Sequence, residues 1–213
     1  MTRRRPVAGD TLKRVFDVIC AGIGLLVLMP VLALCAVAVR VTSPGPIIFR
    51  QERVGLYGNT FEILKFRTMR VTTTGRDPQI TVGRDPRITR VGALLRKWKL
   101  DELPQLWNVV TGDMSLVGPR PEVPKYVAIY PSDQRDLILS VRPGITDPCS
   151  VHLRDESDLL SQADDPENFY VGVLLPEKLR MSGDYVRNRS FVSDVGIIVK
   201  TIGSVVGFGK KMP

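Results

Sequence analysis

Histidine is almost missing from this chain of 213 residues, with His152 the single instance. A histidine-built metal centre is thereby excluded, and a Ser-His-Asp triad would have to use that one side chain. Cysteine is scarce as well. Cys20, Cys35 and Cys149 are odd in number and far apart, so neither a disulfide framework nor a C-x-x-C zinc set is written here. Aromatic residues make up only 7%, a thin supply for a surface that would stack on nucleobases. Acid is short relative to base: 22 Asp and Glu against 30 Lys and Arg leave a net charge of +8. That balance points to a polyanionic partner, whether nucleic acid, anionic lipid or a phosphorylated substrate. The length suits one domain with room for an appendage.

What the chain does hold is a long apolar run near its start. Residues 18–39, "VICAGIGLLVLMPVLALCAVAV", are 22 positions without a charge, about 33 Å as straight helix and enough to cross a bilayer's hydrocarbon core. Arg3, Arg4, Arg5, Lys13 and Arg14 resemble the basic start of a signal peptide. The run is long for one, however, and Arg40 with "TSPGP" stands where small cleavage-site residues would be. Pro30 sits near the middle, where it removes a backbone donor and clashes with the preceding turn. Basic residues flank both ends, since Arg40, Arg50 and Arg53 follow closely. Positive flanks favour the cytoplasmic side, so a helix that enters, bends at Met29-Pro30 and returns satisfies both. A kinked single span satisfies one. The division expected is a basic amino terminus and re-entrant membrane helix over 1–43, then a catalytic domain over 44–213.

Beyond the membrane segment, "PIIFRQERV" and "TFEILKFRTM" flank "GLYGN", predicting a β-hairpin. The near-repeat "GRDPQITV", "GRDPRITR" (75–90) reads as a loop. Helical spacing over "RVGALLRKWKL" puts Val91, Leu94, Leu95 and Trp98 on one side. "GDMSLVGPRPEVP" (112–124) reads as an irregular loop of fixed shape. A helix over roughly 125–140, a Pro-Gly turn in "VRPGIT" and a Val- and Ile-rich helix over 185–211 follow. That last helix suits either a membrane interface or the core.

The most telling stretch is "RKWKLDELPQLWN" (96–108), where Asp101 and Glu102 closely follow three basic residues, Arg96, Lys97 and Lys99. Asp101 reads as a helix cap, Glu102 as a first-turn residue and Pro104 as a residue placed where no amide donor is needed. Capping is compatible with chemistry, because a helix amino terminus would keep an aspartate ionised and able to attack. Neighbours on a helix point about 100° apart, so the two acids would take different roles. Carboxylate oxygens suit Mg²⁺, which takes one or two protein ligands together with substrate phosphate. A carboxylate approaching a phosphate is repelled by about 1 kcal/mol per charge pair at roughly 4 Å in water and about 4 kcal/mol at a protein surface. Cations must cancel that cost, and Lys65, Arg67, Arg96, Lys97, Lys99, Arg120, Arg142 and Arg154 are available.

Taken together, "KRVFDVICAGIGLLVLMPVL", "PGPIIFRQERVG", "FEILKFRTMR", "LDELPQLWN", "GDMSLVGPRP", "VRPGIT" and "NRSF" resemble the bacterial sugar transferases, the small monotopic phosphoglycosyl transferases. The resemblance covers nearly the whole chain. It implies an α+β, mainly helical fold: a re-entrant membrane helix, a small β-hairpin and interfacial helices around an Asp-Glu active site. It implies transfer of a sugar phosphate from a nucleotide diphosphosugar, usually UDP-linked, to polyprenol phosphate, with UMP released, at the cytoplasmic face of the bacterial inner membrane. By the same resemblance Asp101 is the nucleophile of an aspartyl-phosphosugar intermediate. Glu102 is its partner in metal binding or acceptor activation, and Mg²⁺ is the cofactor, held by Asp101 and Glu102. Lys65, Arg96 and Arg120 match phosphate-binding positions, and Arg154 matches more weakly. The family's Ser-Pro helix break is Met29-Pro30 here, Ser182 stands where many members have Asp, and Asp194 is kept to secure the last helix. Membrane lipid is a further partner, no nucleic acid is expected, and a homodimer is left open. The rival readings are a membrane-tethered basic module for nucleic acid, which leaves the fixed turns without a role, and a two-carboxylate glycosidase. The latter needs acids roughly 5–9.5 Å apart across a sugar.

Overall fold

The computed structural model describes residues 8–70, 85–149 and 156–207. The apolar run forms two helices, α1 (Ala8–Val27) and α2 (Met29–Thr42), parted at Leu28. No single helix among the described residues is long and apolar enough to cross a membrane, but this pair, bent by 63°, passes that test together. Pro30 is the cause. In the first turn of α2 it has no amide hydrogen to give to the end of α1. The ladder closes around it through Leu28 N to Gly24 O at 2.9 Å and Leu32 N to Leu28 O at 2.8 Å. A break is therefore present without the serine hydroxyl of the family pattern.

The hairpin forms as the pattern predicts. β1 (Ile48–Val54) pairs antiparallel with β2 (Thr60–Phe66), Ile48 opposite Phe66 and Val54 opposite Thr60. Next come α3 (Arg90–Lys97), a 3₁₀ turn at Leu100–Glu102, and α4 (Gln105–Thr111). The two arms of the bent pair straddle this layer. Ala21 of α1 is buried against Ile63, Val109 and Met114, while Cys35 and Val39 of α2 pack with Phe66 and Leu95. Polar clamps add direction: Arg14 Nη1 donates to Val109 O at 2.7 Å and Nη2 to Val110 O at 3.1 Å, gripping the carbonyl end of α4. Arg67, on the other side, donates to Ser43 O and Pro44 O, both at 2.7 Å, just past the end of α2.

The segment read as irregular contains order that alternation cannot show. β3 (Ser115–Val117) and β4 (Gly144–Thr146) pair in parallel, Ser115 opposite Gly144 and Val117 opposite Thr146. Three-residue strands are too short to display a period. Glycine makes the join: a Cβ on Gly144 would lie 2.1 Å from Gly118 N, and one on Gly118 would lie 2.4 Å from Arg142 O. The loops "GPRP" and "RPGI" thus meet backbone to backbone.

Several expectations need correcting. The helix of 125–140 is two, α5 (Pro124–Val127) and α6 (Ser132–Ile138), because Pro131 ends the first run. Only Leu95 of the expected α3 face is buried outright, whereas Leu94 and Trp98 stay exposed. The carboxyl-terminal part holds α7 (Glu156–Ser161), α8 (Pro166–Phe169), a π turn at Tyr170–Leu174 and α9 (Leu175–Asn188). Val123, Tyr126, Ile138, Leu160 and Tyr170 gather in its core. The tail helix begins later than 185, at α10 (Phe191–Val206), because Ser190 and Ser193 form a reciprocal capping box. Asp194 does secure it: Lys13 Nζ donates at 2.6 Å and Tyr185 Oη at 2.8 Å to its buried carboxylate. The cysteines are free, and residues 75–84 of the near-repeat lie outside the described residues.

Candidate active site

Three loops and one strand converge on the carboxylate pair. Lys99 adopts a left-handed conformation, φ 54°, which reverses the chain after α3 and starts the turn bearing Asp101 and Glu102. The expected cap is not formed. α4 begins at Gln105 with Pro104 before it and no side-chain cap bond, so Asp101 belongs to the 3₁₀ turn rather than to a helix start. The reason is the two extra residues, Leu103 and Pro104, which continue the helical path at αR angles without opening a fresh amide end.

The two acids meet different surroundings. Glu102 is saturated with cations: Lys65 Nζ, from β2, donates to Oε1 at 3.0 Å, Arg120 Nη2 donates to the same oxygen, and Arg120 Nη1 reaches Oε2 at 3.2 Å. Burial alone would raise its pKa, but Arg120 and Lys65 outweigh that and hold it well below the usual carboxylate range. Arg120 is fixed in turn, its amide donating to Asp147 Oδ2 at 3.3 Å and its Nη1 to Ile145 O at 3.3 Å. This is the function of the glycine join between the two loops: it presents the guanidinium with no slack.

Asp101 is buried, and its Oδ1 has no hydrogen-bond partner. Burial first, and the charge of Glu102 second, push its pKa up, against the pull of Lys65, Lys99 and Arg96. The expectation that a helix end holds it ionised is therefore replaced by a desolvated carboxylate beside cations. Arg96 sits one layer out, its Nε donating to Thr68 Oγ1 at 2.9 Å. Lys65, Arg96 and Arg120 are thus brought to the pair. Arg154 lies outside the described residues, as does His152. Pro30 stands at the bend between α1 and α2.

Sequence reasoning passed over three residues of this site. Asn108 pins α4 to β2, accepting from Leu64 N at 3.0 Å and donating to Glu62 O at 2.8 Å. Asp147 holds the Arg120 loop. Gln105 is wholly buried, with both polar side-chain atoms unpartnered. The spacing 101, 105, 108 was the available signal, since it marks one helical face.

Among the described residues no group of three or more His, Cys, Asp or Glu is placed to hold a metal ion. Any ion would rest on one or two carboxylates plus substrate oxygens, which is the habit of Mg²⁺ rather than of zinc. The bare Asp101 Oδ1 fits such a role, and Glu102 could share an oxygen that now faces Arg120.

The family model described as bacterial sugar transferase matches residues 8–208. A UDP-glucose:undecaprenyl-phosphate glucose-1-phosphate transferase of Caulobacter vibrioides is 37% identical over 212 residues, covering 94% of this chain and 72% of the relative. The Escherichia coli protein of the same description is 37% identical over 194 residues, covering 90% of this chain but 39% of that protein. A UDP-N-acetylgalactosamine-undecaprenyl-phosphate N-acetylgalactosaminephosphotransferase of Aeromonas hydrophila is 36% identical over 211 residues, covering 94% of this chain and 45% of its own length. The chain thus spans less than half of the latter two.

Proposed function

The chain belongs to the bacterial sugar transferase family, and on that premise we propose that it moves a sugar phosphate from a UDP-sugar to undecaprenyl phosphate. The observation that carries the reading is the contrast within the dyad: Glu102 is neutralised by Lys65 and Arg120, while Asp101 is buried beside them with an unpartnered oxygen. Two carboxyl groups held in different electrostatic states are suited to two different tasks.

In the first step an Asp101 oxygen attacks the sugar-linked phosphorus. The new O–P bond forms as the phosphoanhydride bond breaks, and UMP leaves with that bond's electron pair. In the second step an oxygen of undecaprenyl phosphate attacks the same phosphorus and Asp101 departs as a carboxylate. Lys65, Arg96 and Arg120 offset the negative charge gathered at the reacting phosphates, and stripping water from Asp101 leaves it a more reactive anion. When bound at Asp101 and Glu102, Mg²⁺ would supply further neutralisation of the diphosphate. The assay is UMP release from a panel beginning with UDP-glucose and UDP-N-acetylgalactosamine, with and without undecaprenyl phosphate. Failure of every donor in the lipid's presence would reject the reading.

The membrane placement proposed is re-entrant, with the dyad at the cytoplasmic face. Exposed apolar side chains support it: Leu12, Val15, Ile19, Ile23 and Leu26 line one face of α1, and Leu34, Val37 and Val41 continue on α2. Val192, Val195, Val199 and Ile202 form a similar stripe on α10. In sealed vesicles, single cysteines introduced at Thr2 and Tyr57 are expected to react with an impermeant maleimide from the same side. Reaction from opposite sides would establish a single span instead.

A further inference from the structure

Gln105 is 0% exposed, yet neither its Oε1 nor its Nε2 has a hydrogen-bond partner. Burying such groups unpaired forfeits their hydration with no compensating bond, so an apolar side chain of the same length would suit the interior better. Folding alone does not account for an amide at this position.

Its surroundings give the amide a target. Leu103 and Pro104 carry αR angles between the 3₁₀ turn and α4, so the path from Leu100 to Thr111 is helical throughout. Residues 101, 105 and 108 then share one face, one turn apart. All three are buried. Asn108 spends its amide on the backbone of β2, the strand that carries Lys65. Gln105 has no such outlet. One turn earlier on the same face, Asp101 Oδ1 is the other orphan. A donor without an acceptor and an acceptor without a donor are stacked in one wall of the site.

We propose that Gln105 is a positioning residue for the transfer: its Nε2 donates to one lone pair of Asp101 Oδ1, leaving the second for a cation, and fixes the plane of the carboxylate so that the other oxygen faces the phosphorus. The i, i+4 spacing puts the two side chains within reach of each other, and the bond closes by side-chain rotation on donor binding. The inference rests on the function proposed above. Oδ1 keeps its role in both states, since it becomes the carbonyl oxygen of the aspartyl phosphate and still accepts the same hydrogen. No proton is moved and no further reactant is needed. The amide holds the carboxylate before attack and the acyl phosphate until the lipid phosphate arrives.

Gln105→Met separates this role from packing, because it keeps length and volume while removing the donor. The full-length chain in lipid nanodiscs containing undecaprenyl phosphate is assayed for UMP release from UDP-glucose and from UDP-N-acetylgalactosamine, with thermal unfolding recorded in parallel. The expected result is an unchanged or higher Tm with kcat lowered about 10- to 100-fold, the scale of a misplaced reacting group, and donor KM within about threefold of the parent. Near-parental kcat in Gln105→Met would overturn the proposal and leave the side chain a filler. A raised KM with unchanged kcat would overturn it too, by making Gln105 a donor contact. Should Gln105→Met fail to fold, Gln105→Leu is read by the same criteria. An unsubstituted chain that turns over neither donor would reject the proposed function itself, a failure visible before any variant is compared.

Discussion

Asp101→Asn is expected to lower transfer by about 10⁴-fold or more, the scale on which enzymes lose rate when an attacking atom is removed. The substitution keeps the shape of the side chain and removes a negative charge that burial already opposes, so stability should hold or rise. Two measurements check this. Donor incubated without lipid acceptor should leave phosphosugar mass on the peptide carrying residue 101 in the parent and none in the variant. Thermal unfolding should show the variant folded. Substantial turnover by a folded Asp101→Asn protein would remove the aspartate from the nucleophile's role.

Glu102→Gln should rank next, with turnover falling about 10²- to 10³-fold, since it disturbs electrostatic stabilisation of the phosphates. Here stability falls as well. Lys65 and Arg120 lose the carboxylate that both address, and breaking such a partly buried group costs up to about 3 kcal/mol. The pH dependence has a defined sign. The folded pKa of Glu102 lies well below the ordinary 4.5, so its stabilisation is complete above the unfolded value and is lost as pH falls through the folded one. The gap in unfolding free energy between parent and Glu102→Gln should be widest near neutrality, shrink as pH falls below 4.5 and close only once pH has passed the depressed folded pKa. A gap that is constant with pH would contradict the ion cluster. The same variant sorts Glu102's duty. Loss of the UMP burst with donor alone would assign it to the first step, and a normal burst with slow lipid turnover would assign it to the acceptor.

Much of this site could be read from residue types in order. Asp101 and Glu102 stood out by their basic neighbours, because charge is a local property, whereas Lys65 and Arg120 were singled out from eight available cations only by the resemblance to the family's motifs. The state of each acid was not legible. Whether a carboxylate is paired or bare depends on a strand 37 residues before it in the sequence, as for Lys65 and Glu102, and on a loop after it. The parallel pairing of β3 with β4 escaped for a similar reason, since its glycines matter only once the two loops touch. The split of 125–140 into α5 and α6 follows from Pro131, which pushes the residue before it out of helical angles. Pro30, by contrast, broke its helix where the sequence placed the break, because the lost donor belongs to the same turn.

The grip of Arg14 on the last carbonyls of α4 carries a mechanical consequence. α4 continues directly from the turn that bears the dyad, and α1 is the arm that would enter the lipid. On the proposed placement, a change in how deep or how steeply that arm rests would reach the far end of α4 through the Arg14 guanidinium, as a handle turns a key. If Asp101 reacts as proposed, its height above the acyl chains would then be set jointly by the protein and by the thickness of the leaflet that receives it.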